Sequence, residues 1–535
     1  MFTVSVRVGL GSFRTFVDCG IAEDLDFKDM DYVDDAGRDI SKCCLPGTRE
    51  HIISEIQAWI DSTGEDVQRV FWLNGTAGKG KSAIAHTIAN RFIERGGPGA
   101  FFCFDRKRKE DRRHEKIFTT IARDLADGDH IIRRALASVV HDDHELGHTK
   151  DIMRQWRELI LGPVRAAAEV VTAPVLIVID ALDESGDASS REQILRVFSD
   201  KQKTISPNLR VLITSRPLDD IQEYLHGASH VCSVSMDDTV HVSKESSERD
   251  IQCYISTLLE DIKDLNDGDF HELAVKSDGM FIWARLACRY IFGRNAMGQD
   301  TRKRFETVLA GTEKGTWLLD EMFTSILEDT IPKDEAIPKF RSVMGQIIAL
   351  LEPLPCTTLS TMRQHFPLAS DRYQVEEVIR PLGSLIIGTT DSQIPVRLLH
   401  TSFYDFLTDK TRSNAFFIDL SLSQRNLAFA SLGVLKYQLR FNICSLESSY
   451  LPNSAIPDLE ERVKESVSAE LSHSCRFWGM YVGATSVERL LVEEVKAFFD
   501  HDRLLFWLEV VSLLNVIGDA VAILSCMSDW LTVSC

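Results

Sequence analysis

The stretch Gly75-Thr76-Ala77-Gly78-Lys79-Gly80-Lys81-Ser82 decides the fold of this chain. It fits the pattern G-x-x-x-x-G-K-[ST], whose backbone N–H groups turn inward around phosphate oxygens. The apolar run Val70-Phe71-Trp72-Leu73 leads into it, and a helix-like segment, Ala83 to Ala89, follows. This order of strand, glycine loop and helix predicts a phosphate-binding loop, or P-loop. A glycine-rich turn without a ligand is the alternative interpretation.

The pattern gives each part of the glycine loop (residues 75–82) a role toward a nucleoside triphosphate. The backbone from Gly75 through Thr76, Ala77, Gly78, Lys79 and Gly80 would surround the phosphates. Lys81 would reach the β- and γ-phosphates, and the Ser82 hydroxyl would bind Mg²⁺. The expected ligands are ATP or ADP with Mg²⁺; GTP is not excluded, although no [NT]-K-x-D guanine string follows.

A second motif follows where a parallel sheet would place it. The continuous apolar run from Pro174 to Ile179 ends in Asp180, which is typical of a buried central strand. An aspartate at that end lies in the ligand crevice and is predicted to hold Mg²⁺. Asp183 and Glu184 follow on the turn, and either carboxylate could polarise an attacking water; we favour Glu184. Acidic helix-capping residues are the alternative.

Further strand candidates complete the sheet. The run Val211-Leu212-Ile213 ends in polar residues and Arg216, which could direct its cation at a γ-phosphate or be an exposed structural arginine. Two more candidates are Gly99 to Phe104 and Val231 to Met236. With helices between them, the five strands predict a doubly wound parallel sheet of the α/β class.

The motifs together resemble one family. GTAGKGKS, DALDES and ITSRP look like the NACHT branch of the signal-transducing (STAND) P-loop NTPases, and most resemble the fungal group with a nephrocystin-like N-terminal NTPase module. The strings Phe71-Trp72-Leu73-Asn74-Gly75, Gly279-Met280-Phe281-Ile282-Trp283-Ala284 and Leu399 to Leu407 also match that group. The resemblance runs from about Cys44 to the C-terminal helices.

The predicted fold is a P-loop NTPase with a parallel doubly wound sheet, followed by a helical lid, a winged-helix-like module and a C-terminal α-helical region. Three helices followed by a hairpin, from Pro338 to Leu399, are the order typical of a winged helix. The expected divisions are an unclassified N-terminal segment, the NTPase domain, the lid, the winged-helix-like domain and the helical region: 1–43, 44–240, 241–334, 335–420 and 421–535. No sensor repeats are recognised after them.

His400 follows the last strand of the winged-helix-like module. In similar switch ATPases a histidine at this place contacts the β-phosphate of ADP, so the resemblance implies this role for His400. The neighbouring letters read Leu399-His400-Thr401, whereas relatives carry Met-His-Asp. A histidine at a helix N-terminus without a ligand is the alternative interpretation.

Composition restricts the location and the partners. The chain has 535 residues and a formal net charge of −20, which argues against general binding to nucleic acid or anionic membranes. No apolar run of about 18 residues is free of polar breaks. Its 12 cysteines are scattered without zinc-like spacing, which indicates reduced thiols. We expect a cytoplasmic protein without nucleic-acid or membrane partners.

Two clusters are interpreted as solvated segments. His141, His144 and His148 have helical spacing, but Gly147 interrupts the helix and the neighbours are polar, so a metal site is not predicted. The basic run Arg106-Lys107-Arg108-Lys109 is followed by acidic residues and is interpreted as a loop.

The leading hypothesis is a nucleotide-dependent molecular switch that hydrolyses its ligand slowly and associates with itself when activated. The resemblance suggests non-self recognition or regulated cell death. One rival is a continuously cycling P-loop ATPase. Another is a truncated, non-enzymatic scaffold in which the nucleotide is structural.

Overall fold

The structure is a computed structural model. In it the chain forms two compact units. It describes residues 27, 30–64, 66–108, 112–168, 173–199, 206–238, 241–292, 301–310, 316–331, 336–389, 393–448, 450–500 and 502–533. The first unit comprises Met1–Thr76 and Lys81–Val242, and the second comprises Ala77–Gly80 and Ser243–Cys535. The chain therefore passes from one unit to the other inside the glycine loop.

The first unit is built on a parallel five-stranded sheet. Its strands are Val70–Asn74 (β1), Gly99–Cys103 (β2), Val175–Asp180 (β3), Leu209–Ser215 (β4) and Val231–Ser235 (β5). Their order is β2-β3-β4-β1-β5, and every neighbouring pair is parallel. All five predicted strands are confirmed, with ends shifted by one or two residues. Their carboxyl ends lie along one edge, where ligands bind in open α/β sheets.

Helices cover both faces of this sheet. Along β3, Val175, Ile177 and Ile179 belong to one apolar core, whereas Leu176 and Val178 belong to the other. Because successive side chains of a strand point to opposite faces, a strand buried on both sides is apolar throughout. The helices of this unit, α1 to α8, are Glu50–Asp61, Lys81–Glu94, Ile117–Gly128, His130–Asp142, Ile152–Gln155, Gly162–Ala167, Ala188–Ser199 and Asp219–Leu225. The predicted doubly wound sheet is confirmed.

In its described residues, the regular structure of the second unit is helical apart from a short antiparallel pair, Ile386–Ile387 (β6) with Arg397–Leu398 (β7). Its helices, α9 to α24, are Lys244–Leu259, Asp267–Lys276, Phe281–Phe292, Thr301–Leu309, Thr316–Thr330, Ala336–Ala349, Cys356–Arg363, Val375–Ile379, Thr401–Thr408, Lys410–Ser413, Leu420–Gln438, Leu459–Ser466, Ala469–Gly483, Arg489–Phe499, Arg503–Leu513 and Ile517–Val533. Three helices, α14 to α16, precede the strand pair, in the order that the sequence predicts. The five-part domain division remains a prediction.

The sequence from Leu504 to Leu524 forms parts of two helices, α23 and α24. Val510, Val511 and Ile523 are buried, whereas Leu505 and Val521 are exposed. Among the helices in the described ranges, none has both the length and the apolar character that crossing a membrane requires.

A cluster of aromatic side chains organises the C-terminal part of the second unit. Trp478 is fully buried; its ring centroid lies 4.7 Å from that of Phe498 and 6.1 Å from that of Trp507. The Trp507 indole N–H donates to the carbonyl oxygen of Cys475 at 2.8 Å. Large buried aromatic side chains contribute much of the apolar area of a core, so this cluster holds helices α21, α22 and α23 together.

We expect Trp478→Ala to destabilise the second unit by about 3–5 kcal/mol, because a cavity replaces a buried aromatic side chain. Urea denaturation followed by far-ultraviolet circular dichroism measures the loss. Tyr450→Ala is the matched control, because Tyr450 is 95% exposed, and it should change the unfolding free energy by less than about 0.5 kcal/mol. Equal effects of the two substitutions would contradict this account of the core.

Candidate functional site

The first part of the glycine loop is fixed from two sides. Asp237, just beyond β5, accepts the Thr76 N–H at 2.7 Å and the Thr76 hydroxyl at 2.9 Å. The Lys81 ammonium donates to the carbonyl oxygens of Gly75 at 2.6 Å and Thr76 at 2.9 Å. The backbone between β1 and α2 is therefore held by one carboxylate and by the loop's own lysine.

The middle of the loop, residues 77–80, belongs to the second unit, where it contacts the start of α11. The Gly78 carbonyl accepts the Ile282 N–H at 3.3 Å, and Lys79 Nζ donates to the Asp278 carbonyl at 3.2 Å. Gly78 has φ +83°, and a Cβ there would lie 2.0 Å from Cγ2 of Ile282. Only glycine satisfies both the backbone angle and this close approach.

Asp180 ends β3 as a buried carboxylate held by its neighbours. Its Oδ1 accepts the Thr214 hydroxyl, and the Cys103 thiol lies 3.4 Å from its Oδ2. The Thr214 hydroxyl also accepts the N–H of Ala181 at 3.1 Å. Ala181 has φ +57°, an uncommon angle for a residue with a Cβ, and it turns the chain sharply after the strand. The turn brings Asp183 and Glu184 back toward the strand ends.

Asp183 and Arg216 form a pair that the sequence does not predict. Asp183 is buried, and one oxygen accepts the backbone N–H of Arg216 at 3.0 Å while the other lies 3.2 Å from Arg216 Nε. A carboxylate that binds both a backbone and a guanidinium N–H fixes the direction of that arginine. The Arg216 side chain is partly buried at the end of β4.

Glu184 lies in a different environment from its neighbour. Its Oε2 accepts the backbone N–H of Arg106 at 3.2 Å. Burial raises the pKa of Glu184 to about 7, and the charges of Asp183 and Asp105 add to this rise. A carboxyl group with a pKa near neutrality can exchange a proton at physiological pH, which suits general acid–base chemistry.

Lys81 begins helix α2, and its ammonium group interacts electrostatically with Asp183 and Asp180. Burial lowers the pKa of Lys81 to about 8; Asp183 acts against this lowering, and Arg216 adds to it. Lysine and arginine thus face three acidic side chains, Asp180, Asp183 and Glu184, at the carboxyl edge of the sheet. Perturbed pKa values of this kind cluster at functional sites.

His400 begins helix α17 in the second unit. Its Nδ1 accepts the backbone N–H of Ser402 at 3.0 Å and is 2.8 Å from the Ser402 hydroxyl. It is thus the N-cap residue of this helix, as one of the two interpretations of the sequence has it. Its role as a phosphate ligand remains a prediction.

The first unit brings together most of the residues that the sequence singles out. Lys81 and Ser82 begin α2, and Asp180, Asp183, Glu184 and Arg216 lie at the ends of the neighbouring strands. The sequence analysis missed the roles of Thr214 and Asp237. Both residues lie at or just beyond the end of a predicted strand, so the signal that identified Asp180 could have found them.

Comparisons with known proteins agree with this geometry. Residues 47–216 match the family described as "Nephrocystin 3, N-terminal". The chain is 23% identical over 503 residues to the vegetative incompatibility protein HET-E-1 of Podospora anserina, which covers 87% of this chain. The chain spans 35% of the length of that relative.

A solved structure is also similar: the STAND protein (Signal Transduction ATPase with Numerous Domains) with a tetratricopeptide repeat sensor from Pyrococcus horikoshii. The TM-score is 0.36 at 13% identity, over 93% of this chain and 65% of that one. Because the TM-score and the sequence identity are this low, this structural similarity does not assign a fold or a family.

The parallel sheet, the glycine loop and the acidic strand end define a P-loop NTPase. The family match places residues 47–216 in the nephrocystin 3 N-terminal family. Over these residues the resemblance to the NACHT-type NTPases of the signal-transducing STAND class, which the motifs indicated, is confirmed.

Asp237→Ala should weaken nucleotide binding about fivefold, since it removes both hydrogen bonds that fix the start of the loop, at about 1 kcal/mol net. Thr76→Val keeps the backbone N–H and loses only the hydroxyl, so it should weaken binding about twofold. Titration with a fluorescent ATP analogue measures both. Asp238→Ala is the control, because it removes the same charge one residue further on; an equal loss in this variant would show that charge alone matters.

Proposed function

We propose that this protein is a nucleotide-dependent molecular switch that binds ATP or ADP with Mg²⁺ and hydrolyses ATP slowly. The observation that carries the proposal is the grouping of Lys81, Asp180, Asp183, Glu184 and Arg216 at the carboxyl ends of β1, β3 and β4. These are the residue types that phosphoryl transfer requires: a phosphate-binding lysine, a metal-binding aspartate, an arginine and a water-orienting carboxylate.

Phosphate binding is proposed for the backbone N–H groups of the glycine loop and for Lys81. Gly80 has φ +91°, and a Cβ there would have no atom within 4 Å. The backbone at Gly80 is therefore open to an approaching group. Lys81 donates to two carbonyl oxygens of its own loop, and phosphate oxygens, as stronger acceptors, would replace them. The helix dipole of α2 favours the same negative charge.

Magnesium binding is proposed for the Ser82 hydroxyl and the Asp180 carboxylate. Both offer the hard oxygen donors that Mg²⁺ prefers, and Ser82 is exposed at the start of α2. Thr214 orients Asp180 through a hydrogen bond. When bound, Mg²⁺ would neutralise charge on the phosphates and between the acidic side chains.

The contacts separate the roles of the two carboxylates after β3. Asp183 uses both of its oxygens on Arg216, so we propose that it positions the arginine that stabilises charge on the γ-phosphate. Glu184 is bound to a backbone N–H and has a raised pKa. We propose that Glu184 orients the attacking water, as favoured from the sequence.

The regulatory part of the proposal concerns the second unit. Exchange of ADP for ATP would release its helices and permit self-association, and hydrolysis would reset the protein. His400 is proposed, from the resemblance, to contact the diphosphate in the ADP form. The name of the Podospora relative, a vegetative incompatibility protein, supports a role in non-self recognition. Adenine is the proposed base.

The first test identifies the nucleotide that the purified protein carries. We expect ADP in the supernatant after denaturation, measured by chromatography. Loading with a non-hydrolysable ATP analogue and Mg²⁺ should then increase the mass found by light scattering, whereas ADP should not. Lys81→Ala should carry no nucleotide and keep one mass. Unaltered protein that neither carries nor binds ATP, ADP or GTP would overturn the proposal.

The second test concerns hydrolysis and its pH dependence. Because ionised Glu184 orients the water, the rate should rise between pH 6 and 8 with a midpoint near the Glu184 pKa of about 7. Glu184→Gln should bind ATP normally, lose about 100-fold or more in rate, and lose this rise. Glu192→Gln, on the surface of α7, should behave like the unaltered protein. A rise that persists in Glu184→Gln would assign the titration to another group.

A further inference from the structure

Residues 30–44, here called the N-terminal strap, are packed into the first unit ahead of the sheet. The side chains of Met30, Val33 and Ala36 are buried in the apolar core on one face of the sheet. At its start, the Tyr32 hydroxyl donates to Asp124 on α3 at 2.9 Å. The strap is thus an integral part of the unit that carries the parallel sheet and helix α2, although it precedes the family match at residues 47–216.

Arg112 connects the middle of the strap to the carboxyl edge of the sheet, where Asp180 lies. This buried guanidinium donates to the Asp35 carbonyl of the strap and to the Cys103 carbonyl at the end of β2, the latter at 2.7 Å. Cys103 pairs with Asp180 in the sheet register, and its thiol contacts the Asp180 carboxylate. The strap is therefore connected to the proposed magnesium ligand through Arg112 and Cys103.

The end of the strap is bound to helix α2, which begins with Lys81 and Ser82. The Asp39 N–H donates to Nδ1 of His86 at 3.1 Å, and the Cys44 N–H donates to the Thr87 hydroxyl at 2.8 Å. His86 is buried and stacks on Phe101 of β2 with ring centroids 4.4 Å apart. The strap thus contacts both elements that the nucleotide site uses: the helix after the loop and the edge beside Asp180.

We infer that the order of the N-terminal strap is coupled to nucleotide binding. Bound Mg²⁺–nucleotide would order the start of α2 and the end of β3, and these elements support the strap through His86 and Arg112. The strap should therefore be held more firmly in the liganded protein. By linkage, loosening the strap weakens nucleotide binding by the same factor. This inference rests on the proposed nucleotide binding.

Hydrogen–deuterium exchange of the full chain tests the coupling directly. The probe is a non-hydrolysable ATP analogue with Mg²⁺, and the readout is a peptide covering residues 38–44. We expect its amide exchange to slow at least about fivefold on binding, the lower end of typical coupling between sites. A fluorescent-nucleotide titration of the same sample establishes binding independently.

A matched pair of variants isolates the contact with α2. His86→Leu removes the acceptor of the Asp39 N–H, so nucleotide affinity should fall about fivefold and the difference in exchange should disappear. His86→Asn places an amide oxygen near the position of Nδ1 and should retain both properties. Rescue by asparagine distinguishes the hydrogen bond from a loss of ring packing, since both variants lose the imidazole.

The outcomes separate the two proposals. If the fluorescent nucleotide does not bind, the proposed function fails and the coupling fails with it. If it binds and exchange of residues 38–44 is unchanged or faster, the proposed function stands and the coupling is overturned. The exchange experiment on the unaltered chain needs no variant, so a His86→Leu protein that does not fold leaves this result decisive.

Discussion

The parallel pairing of the strands is the constraint on which the rest of the first unit depends. Because β1, β3 and β4 run in one direction side by side, their carboxyl ends meet at one edge. Residues far apart in sequence, such as Asp180 and Arg216, are brought to that edge by the pairing of β3 with β4. The side-chain hydrogen bonds of the site then orient residues that the sheet has already placed near one another.

The carboxyl edge of the sheet carries several acidic side chains close together, and repulsion between their negative charges is unfavourable. Asp180, Asp183 and Glu184 lie within five residues of one another. Burial raises the pKa of Glu184, and the charge of Asp183 adds to this rise. Thr214 and the Arg216 guanidinium stabilise two of these carboxylates. The backbone N–H of Arg106 binds the third, so each carboxylate at this edge is held by a different donor.

Much of the first unit could be predicted, because its signals are local. A strand buried on both faces must be apolar throughout, so the run before Asp180 identifies β3, and glycines at fixed spacing identify the loop. The contacts that hold the site in place are not local. Asp237 contacts Thr76 across 161 positions, and Asp39 contacts His86 across 47. A strand end in the sequence can mark Asp237 and Thr214 as candidates, but single-sequence patterns carry no signal for their partners, so these pairings and the strap emerge only from the structure.

The glycine loop also depends on contacts between residues far apart in sequence, and its two parts make them within different units. Its start is hydrogen-bonded to Asp237 within the first unit, whereas within the second unit Gly78 accepts the N–H of Ile282 in α11 and Lys79 donates to the Asp278 carbonyl just before that helix. Gly78 has no room for a Cβ, so the loop cannot change its shape there without displacing Ile282. A phosphate-binding loop that shares its hydrogen bonds with a helical element cannot be rearranged by a ligand without a cost to that element. Residues 77–80 and the start of α11 are thus coupled within the second unit.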